Sequence, residues 1–239
     1  MNKSLTIIVP AYNEEKFLAE AVKTYDRLAR SVVKDYEIII INDGSADRTG
    51  EIADAVKKQN PHVRVVHNKG NKGLGYNYRK GIELARKNYA TLLPGEAELL
   101  FNPLRKNLLQ IGKADIIIPY IDNKENSKVR PLHRRAISKL FTFLLNTLFG
   151  LHLRYYNAHV IHQTKVVRKV KMSTNSFAYQ AEILIRLLKG KKKYSYIMVP
   201  YQSKKAKGKS SCLKIKNLMS VMRTVIKLFF DIYFNKNRS

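Results

Sequence analysis

Along the first 120 positions, short runs of β-branched and aliphatic residues alternate with segments whose apolar positions recur every three to four residues. This alternation predicts βαβ units around a mainly parallel sheet. Residues 5–9 (LTIIV) read as a first strand closed by Pro10, and Phe17, Leu18, Ala21, Val22, Tyr25 and Leu28 share one helical face between Glu14 and Ser31. Residues 36–41 (YEIIII) are too continuously apolar for a half-exposed strand, which places them at the centre of the sheet with both faces covered. A helix over 49–60, a strand over 63–67, a helix over 76–87 and strands over 89–93 and 114–120 complete this half.

Beyond Tyr120 the pattern changes. Residues 122–130 are polar and read as a loop, and 131–149 form a helix with Ile137, Leu140, Phe141, Leu144, Leu145 and Leu148 along one side. A helix over 177–189, a strand over 194–199, a basic loop over 204–211 and a long terminal helix over 213–234 follow. No internal repeat or low-complexity linker interrupts the chain, so residues 1–239 are expected to form one domain. Its halves are residues 1–120 and a basic, helical 121–239.

Charge sharpens this division. Residues 1–120 hold 19 Lys and Arg against 14 Asp and Glu, whereas 121–239 hold 26 against 4, within a net charge of +27. Such an excess on a folded domain suits polyanions: nucleic acid, phosphorylated ligands or an anionic membrane surface. Cys212 is the sole cysteine, which excludes an intrachain disulfide and a thiolate zinc site. The start of the chain lacks the apolar run of a signal peptide, so secretion is not expected. The most apolar stretch, 140–153, is well short of the roughly 20 residues that span a bilayer.

Ligands of open α/β sheets bind outside the carboxyl ends of the strands, near the point where strand order reverses. The first strand ends in Pro10, Ala11, Tyr12, Asn13 and Glu14, the second in Asn42, Asp43, Gly44 and Ser45, and the fourth in Pro94, Gly95, Glu96, Ala97 and Glu98. Acids gathered on one rim repel one another unless a cation or a hydrogen-bonding ligand separates them. Asp43 has the chemistry to accept hydrogen bonds from a base or ribose, and Tyr12 to cover a base. Glu96 and Glu98 offer hard oxygen donors for a divalent ion shared with substrate phosphates. Singly, Asn13 and Asp43 also read as a helix cap and a turn former, and the two glutamates as first-turn carboxylates. Acids at three strand ends together favour a ligand site.

These residues carry a resemblance. VPAYNE (9–14), INDGS (41–45), NKGLGYNYRKGIELA (71–85) and PGEAE (94–98) resemble the nucleotide-sugar half of family 2 glycosyltransferases with a GT-A fold. RRAISKLFTFLLNTLFGL (134–151), SFAYQAEILIRLLKG (176–190) and KGKSS (207–211) extend it to the polyprenyl-phosphate branch that includes dolichyl-phosphate mannose synthase. The resemblance implies a Rossmann-like, mostly parallel sheet flanked by helices, with a basic amphipathic helical extension at the C-terminus. It further implies that Pro10, Ala11, Tyr12, Asn13, Glu14, Asp43 and Gly95 bind the nucleoside of a GDP- or UDP-sugar. Glu96 and Glu98 would hold Mg²⁺ or Mn²⁺ on the diphosphate, and Lys205, Lys207 and Lys209 would close over it. The sequence departs from the family pattern where Asp-x-Asp becomes PGEAE, where the first acid of Asp-Asp-Gly-Ser becomes Asn42, and where a loop arginine becomes Lys205.

For the acceptor, relatives acting on a lipid phosphate place an arginine and, four later, a serine at the head of a membrane-facing helix, as Arg134 and Ser138 stand here. A phosphate acceptor is already anionic and needs no general base; a hydroxyl of a cell-surface glycan needs one, for which Glu182 is the candidate. Its alternative is an ion pair with Arg186, one helical turn on. His159 and His162 lack neighbouring carboxylates, lie in a segment that looks strand-like, and read as ordinary polar positions. Cationic residues flanking the apolar helices suit peripheral attachment to the cytoplasmic face of a membrane. Nucleic-acid binding lacks any supporting motif and is not expected, and a non-catalytic scaffold remains the other alternative.

Overall fold

The computed structural model describes residues 3–95, 100–121, 131–201 and 215–234. Its centre is a seven-stranded sheet in the order β3-β2-β1-β4-β6-β5-β7. The strands are β1 (Ser4–Ala11), β2 (Asp35–Asn42), β3 (Val63–His67), β4 (Tyr89–Leu92), β5 (Ile116–Ile121), β6 (Ile161–Gln163) and β7 (Tyr196–Tyr201). β1 to β4 are mutually parallel, β5 is parallel to β7, and β6 runs antiparallel to both β4 and β5. The fold is the α/β, GT-A type that the sequence resemblance implies.

Helices cover both faces, and alternate side chains of each strand divide between two cores. Leu5, Ile7, Val9, Ile38 and Ile40 pack under α1 (Leu18–Arg30), α2 (Thr49–Gln59) and α4 (Phe101–Leu108). Ile8, Ile39 and Ile41 pack under α3 (Leu74–Leu84), α5 (Leu132–Phe149), α7 (Tyr179–Lys189) and α8 (Ile215–Tyr233). This two-sided burial is why 36–41 shows no polar alternation: Tyr36 to Ile41 are all buried, and even Glu37 is inside. Glu37 is stabilised there by Thr6 Oγ1 at 2.9 Å and Arg64 Nη1 at 2.8 Å.

Two short elements complete the sheet and its cover, and the strand-like segment around His162 is one of them. α4 carries Pro103 in its first turn, where a missing N–H costs nothing, and it is only 8 residues long. β6 is three residues long and continues directly into a one-turn helix, α6 (Thr164–Val167), too short for any periodicity to register. β6 is held by a polar core: the buried Tyr78 hydroxyl lies 2.8 Å from His162 Nδ1, and Gln180 Nε2 lies 3.3 Å from its Nε2.

Strand order reverses between β1 and β4. The chain after β4 keeps alongside β1, since the Leu93 N–H donates to the Ile8 carbonyl at 2.9 Å and the Gly95 N–H to that of Pro10 at 3.2 Å. The ends of β1, β2 and β4 therefore stand side by side on one rim. Among the described residues, no helix is long and apolar enough to cross a membrane.

Candidate active site

The turns after β1 and β2 are laced together. The Asp43 N–H donates to the Ala11 carbonyl at 2.8 Å, the Asn13 N–H to Ser45 Oγ at 3.0 Å and the Ala46 N–H to Asn13 Oδ1 at 2.9 Å. The Glu14 N–H reaches Thr49 Oγ1 at 2.8 Å, and the Glu15 N–H reaches Asp47 Oδ2 at 3.2 Å. Asn13 adopts a left-handed φ of 57°, which asparagine tolerates better than most residues. Asn42, where the family pattern has an acid, uses its amide oxygen to accept the Ser45 N–H at 3.1 Å and its nitrogen to meet His67 Nδ1 at 3.1 Å. An amide supplies both a donor and an acceptor for this turn; a carboxylate would supply acceptors alone.

Asp43 is 3% exposed. Its Oδ1 accepts from Asn68 Nδ2 at 2.8 Å and the Lys72 N–H at 2.9 Å, and its Oδ2 accepts from the Gly73 N–H at 3.0 Å. Three N–H donors offset the cost of burying the carboxylate, and they fix its aim. Gly44 follows with a φ of 73°, and a Cβ there would lie 2.4 Å from Gly70 Cα, so only glycine lets the two turns close on each other.

Tyr12 is half exposed beside this turn, at 48%. Pro10, Ala11, Tyr12, Asn13, Glu14, Asp43 and Gly95 thus stand on neighbouring strand ends of one rim. Glu96 and Glu98, and the basic-loop lysines Lys205, Lys207 and Lys209, lie outside the described residues. Among the described residues, no cluster of three or more His, Cys, Asp or Glu is placed to hold a metal ion.

Aromatic rings gather at the described ends of β5 and β7. His159 Nδ1 lies 3.1 Å from the Leu92 carbonyl at the end of β4, and its ring meets that of Tyr201 edge-on at 6.3 Å. Burial pushes the His159 imidazole down to about 4 against the pull of that carbonyl, and pushes the Tyr201 hydroxyl up to about 12. At the end of β5, the Arg154 guanidinium lies over the Tyr120 ring at 4.7 Å. His162, in the core, is held neutral by burial at about 3. Both histidines are engaged by protein groups.

Arg134 and Ser138 stand one turn apart near the start of α5, both half-buried. Glu182 does not stand on the rim as an available base. It is 1% exposed, in the first turn of α7, and accepts from the N–H groups of Ser173 and Thr174, from Ser173 Oγ at 2.7 Å and from Arg186 Nε at 3.0 Å. The ion-pair alternative is the one formed, inside the protein instead of on its surface. Segment 172–176, which receives this carboxylate, is the feature that sequence reasoning missed. Its signal was the glycine spacing in 71–75, whose partner surface no local pattern identifies.

The outer faces of α5 and α8 contrast with the rim. Leu132, Leu140 and Phe143 are 77%, 67% and 68% exposed on α5, and Met219, Met222, Ile226 and Phe230 form an exposed stripe along α8. The inner faces of the same helices are apolar too, with Leu145, Phe149, Val225 and Leu228 buried. The helices meet at their C-terminal ends, where the Phe149 and Tyr233 rings stack at 6.3 Å.

Comparison with known proteins agrees with this geometry. The chain is 29% identical over 180 residues to a dolichyl-phosphate beta-glucosyltransferase of Dictyostelium discoideum, covering 71% of this chain and 51% of the relative. It is 26% identical over 195 residues to an undecaprenyl-phosphate 4-deoxy-4-formamido-L-arabinose transferase of Pseudomonas fluorescens, covering 76% and 56%. The chain thus spans about half the length of these two curated relatives. In fold it is similar to glucosyl-3-phosphoglycerate synthase of Mycobacterium tuberculosis crystallised with Mn²⁺, UDP and glucosyl-3-phosphoglycerate, with a TM-score of 0.65 and 14% identity over 96% of this chain and 79% of the other. The sequence profile of Glycosyl transferase family 2 matches residues 6–175, well over half of the chain. With that match laid over the β1, β2 and β4 strand ends, the chain belongs to glycosyl transferase family 2.

Proposed function

We propose that the protein is an inverting glycosyltransferase that moves a sugar from a UDP- or GDP-sugar to a polyprenyl phosphate at a membrane surface. The observation that carries the donor half is the rim of β1, β2 and β4, with Asp43 aimed by three N–H donors. Its remaining lone pairs suit a base N–H or a ribose hydroxyl, and the exposed Tyr12 ring suits a base face. Solved structures of the same fold hold UDP with Mn²⁺ or Mg²⁺.

The donor set after β4 is carboxylate oxygen, which fits a hard divalent ion, and Gly95 brings the start of that segment against β1. Glu96 and Glu98 would hold Mg²⁺ or Mn²⁺. When bound, the ion neutralises charge growing on the departing nucleoside diphosphate. The protein's own share is to hold the nucleoside through the 10–14 turn and Asp43, and to bring cationic side chains, Lys205, Lys207 and Lys209 among them, to the diphosphate.

The acceptor reading follows from Glu182. With its oxygens spent on Ser173, Thr174 and Arg186, it is unsuited to deprotonate a hydroxyl. A phosphate oxygen attacks the anomeric carbon without a base, and a single in-line displacement inverts the configuration there. Arg134 and Ser138, one turn apart, would orient that phosphate. The exposed apolar stripes of α5 and α8, among cationic side chains such as Lys139, Arg223 and Lys227, suit an anionic bilayer carrying the lipid, each basic residue adding about 1 kcal/mol near the surface.

The experiment is to incubate the purified protein and Mn²⁺ with a panel of nucleotide-sugars, with and without polyprenyl phosphate, and to follow nucleotide release. Release that requires both one donor and the lipid phosphate is expected. Release with none of the panel, whatever the acceptor, would contradict the proposal.

A further inference from the structure

Segment 172–176 joins two parts of the molecule that are distant in sequence. On one side it receives the turn at the start of α3. The Gly75 N–H donates to the Asn175 carbonyl at 3.0 Å, while Arg79 donates to Asn175 Oδ1 at 3.0 Å and to the Met172 carbonyl at 3.3 Å. The fit is backbone against backbone: a Cβ on Gly75 would lie 2.4 Å from the Thr174 carbonyl oxygen, and one on Gly73, where φ is +90°, 2.7 Å from that of Asn175. The Lys72 and Gly73 amides that grip Asp43 belong to this same turn.

On the other side the segment is pinned by Glu182. Both carboxylate oxygens accept the Ser173 N–H at 3.1 Å, Oε1 also accepts Ser173 Oγ at 2.7 Å, and Oε2 accepts the Thr174 N–H at 3.0 Å. Arg186 holds Glu182 at 3.0 Å and reaches Asp231 of α8 at 2.7 Å. Thr174 Oγ1 also lies 3.0 Å from Thr224 Oγ1 of α8. A buried ion-pair network of this kind is a poor source of net stability, because desolvation consumes most of the attraction; what it supplies here is a defined path for the backbone it grips.

We propose that Glu182 and Arg186 are positioning residues for the donor site, acting through segment 172–176 on the turn whose amides aim Asp43. The inference rests on Asp43 serving the nucleotide donor, as proposed above. It makes α8, whose outer stripe faces away from the core, part of the frame that sets donor affinity. The contacts run from Asp231 through Arg186 and Glu182, and from Thr224 directly, to Thr174, and then through Asn175 and Gly75 to Gly73 and Asp43.

The test is calorimetric titration with UDP and with GDP, each with Mn²⁺, well below the melting midpoint of every variant used. Glu182→Gln keeps the shape and one acceptor but loses the charge that holds Arg186, and about tenfold weaker binding is expected. Ser173→Ala removes one hydrogen bond and should weaken binding about two- to threefold. Arg79→Met loosens the segment from its other side. Combined with Glu182→Gln it should weaken binding by clearly less than the product of the two single effects, because both act on one segment. A residue that serves stability alone would lower the melting midpoint and leave Kd unchanged, so unaltered Kd in Glu182→Gln and Ser173→Ala overturns the inference. Should Glu182→Gln fail to fold, Ser173→Ala decides it. A wild-type protein that binds neither nucleotide overturns the donor reading itself, and the first titration shows this before any variant is made.

Discussion

The rim at the ends of β1 and β2 and the outer faces of α5 and α8 are built on opposite principles. At the rim, backbone groups are spoken for within the fold: Asn13, Asp43, Ser45 and Thr49 tie two turns together before any ligand arrives. On α5 and α8, Leu140, Phe143, Ile226 and Phe230 stand more than half exposed on helices whose other faces already supply a core. The first region spends polar groups on pre-organisation, which keeps a charged ligand's binding geometry fixed. The second leaves apolar area uncovered, which a water-facing helix rarely does on both sides. One chain thus holds a tightly hydrogen-bonded polar rim and an uncovered apolar face.

The comparison is broken most severely at the acids that follow Gly95. Replacing Glu96 and Glu98 together by Ala should abolish sugar transfer, as followed by nucleotide release, while the circular dichroism spectrum and melting midpoint stay near wild type. Retained turnover would remove both glutamates from the site.

The apolar face is tested by changing Leu140, Phe143, Ile226 and Phe230 to Ser. Fully burying such a side chain is worth about 1.5–3 kcal/mol, so even partial insertion of all four predicts at least about a hundredfold loss of binding to vesicles containing anionic lipid. Thermal stability should barely change, because these side chains lie outside the core. A large fall in melting midpoint would show instead that they pack within the protein.

Pre-organisation of the rim is tested at Gly44. Alanine there meets the Gly70 backbone and must adopt a positive φ, so a loss of about 2–3 kcal/mol in chemical unfolding is expected, with weaker nucleotide binding. The last effect is that of pH. His159 and His162 are held neutral in the folded protein, at about 4 and about 3, by burial. An unfolded chain takes up these protons near pH 6.5, so stability is full above that value and falls as pH drops toward 4. Each histidine contributes up to about 1.4 kcal/mol per pH unit in that window. Replacing His162 by Gln should flatten the slope seen in denaturant titrations between pH 6.5 and 4.

Much of this architecture is legible in the sequence because it is locally coded. The strand over 36–41 and the helix face of Leu18, Ala21, Val22, Tyr25 and Leu28 are both found as expected, since burial on two faces or one leaves a direct trace in the residue pattern. The meeting of Asp43, the 10–14 turn and Gly95 depends instead on the β2-β1-β4 strand order, which is expected from the βαβ alternation and not from any one segment. The surroundings of Glu182 are not locally coded. An i,i+4 spacing identifies Arg186 as its partner, yet nothing local reveals that Ser173 and Thr174 take up the remaining acceptor capacity. Likewise β6 is antiparallel because its partners are β4 and β5, a choice made by topology and not by the three residues Ile161, His162 and Gln163.

The most direct measurement of the central claim is to supply the preferred nucleotide-sugar with either polyprenyl phosphate or the matching free polyprenol in the same vesicles, and to analyse the lipid product and its anomeric configuration. The account predicts glycosylation of the phosphate alone, with configuration inverted relative to the donor. Equal transfer to the free alcohol, or retained configuration, would contradict it.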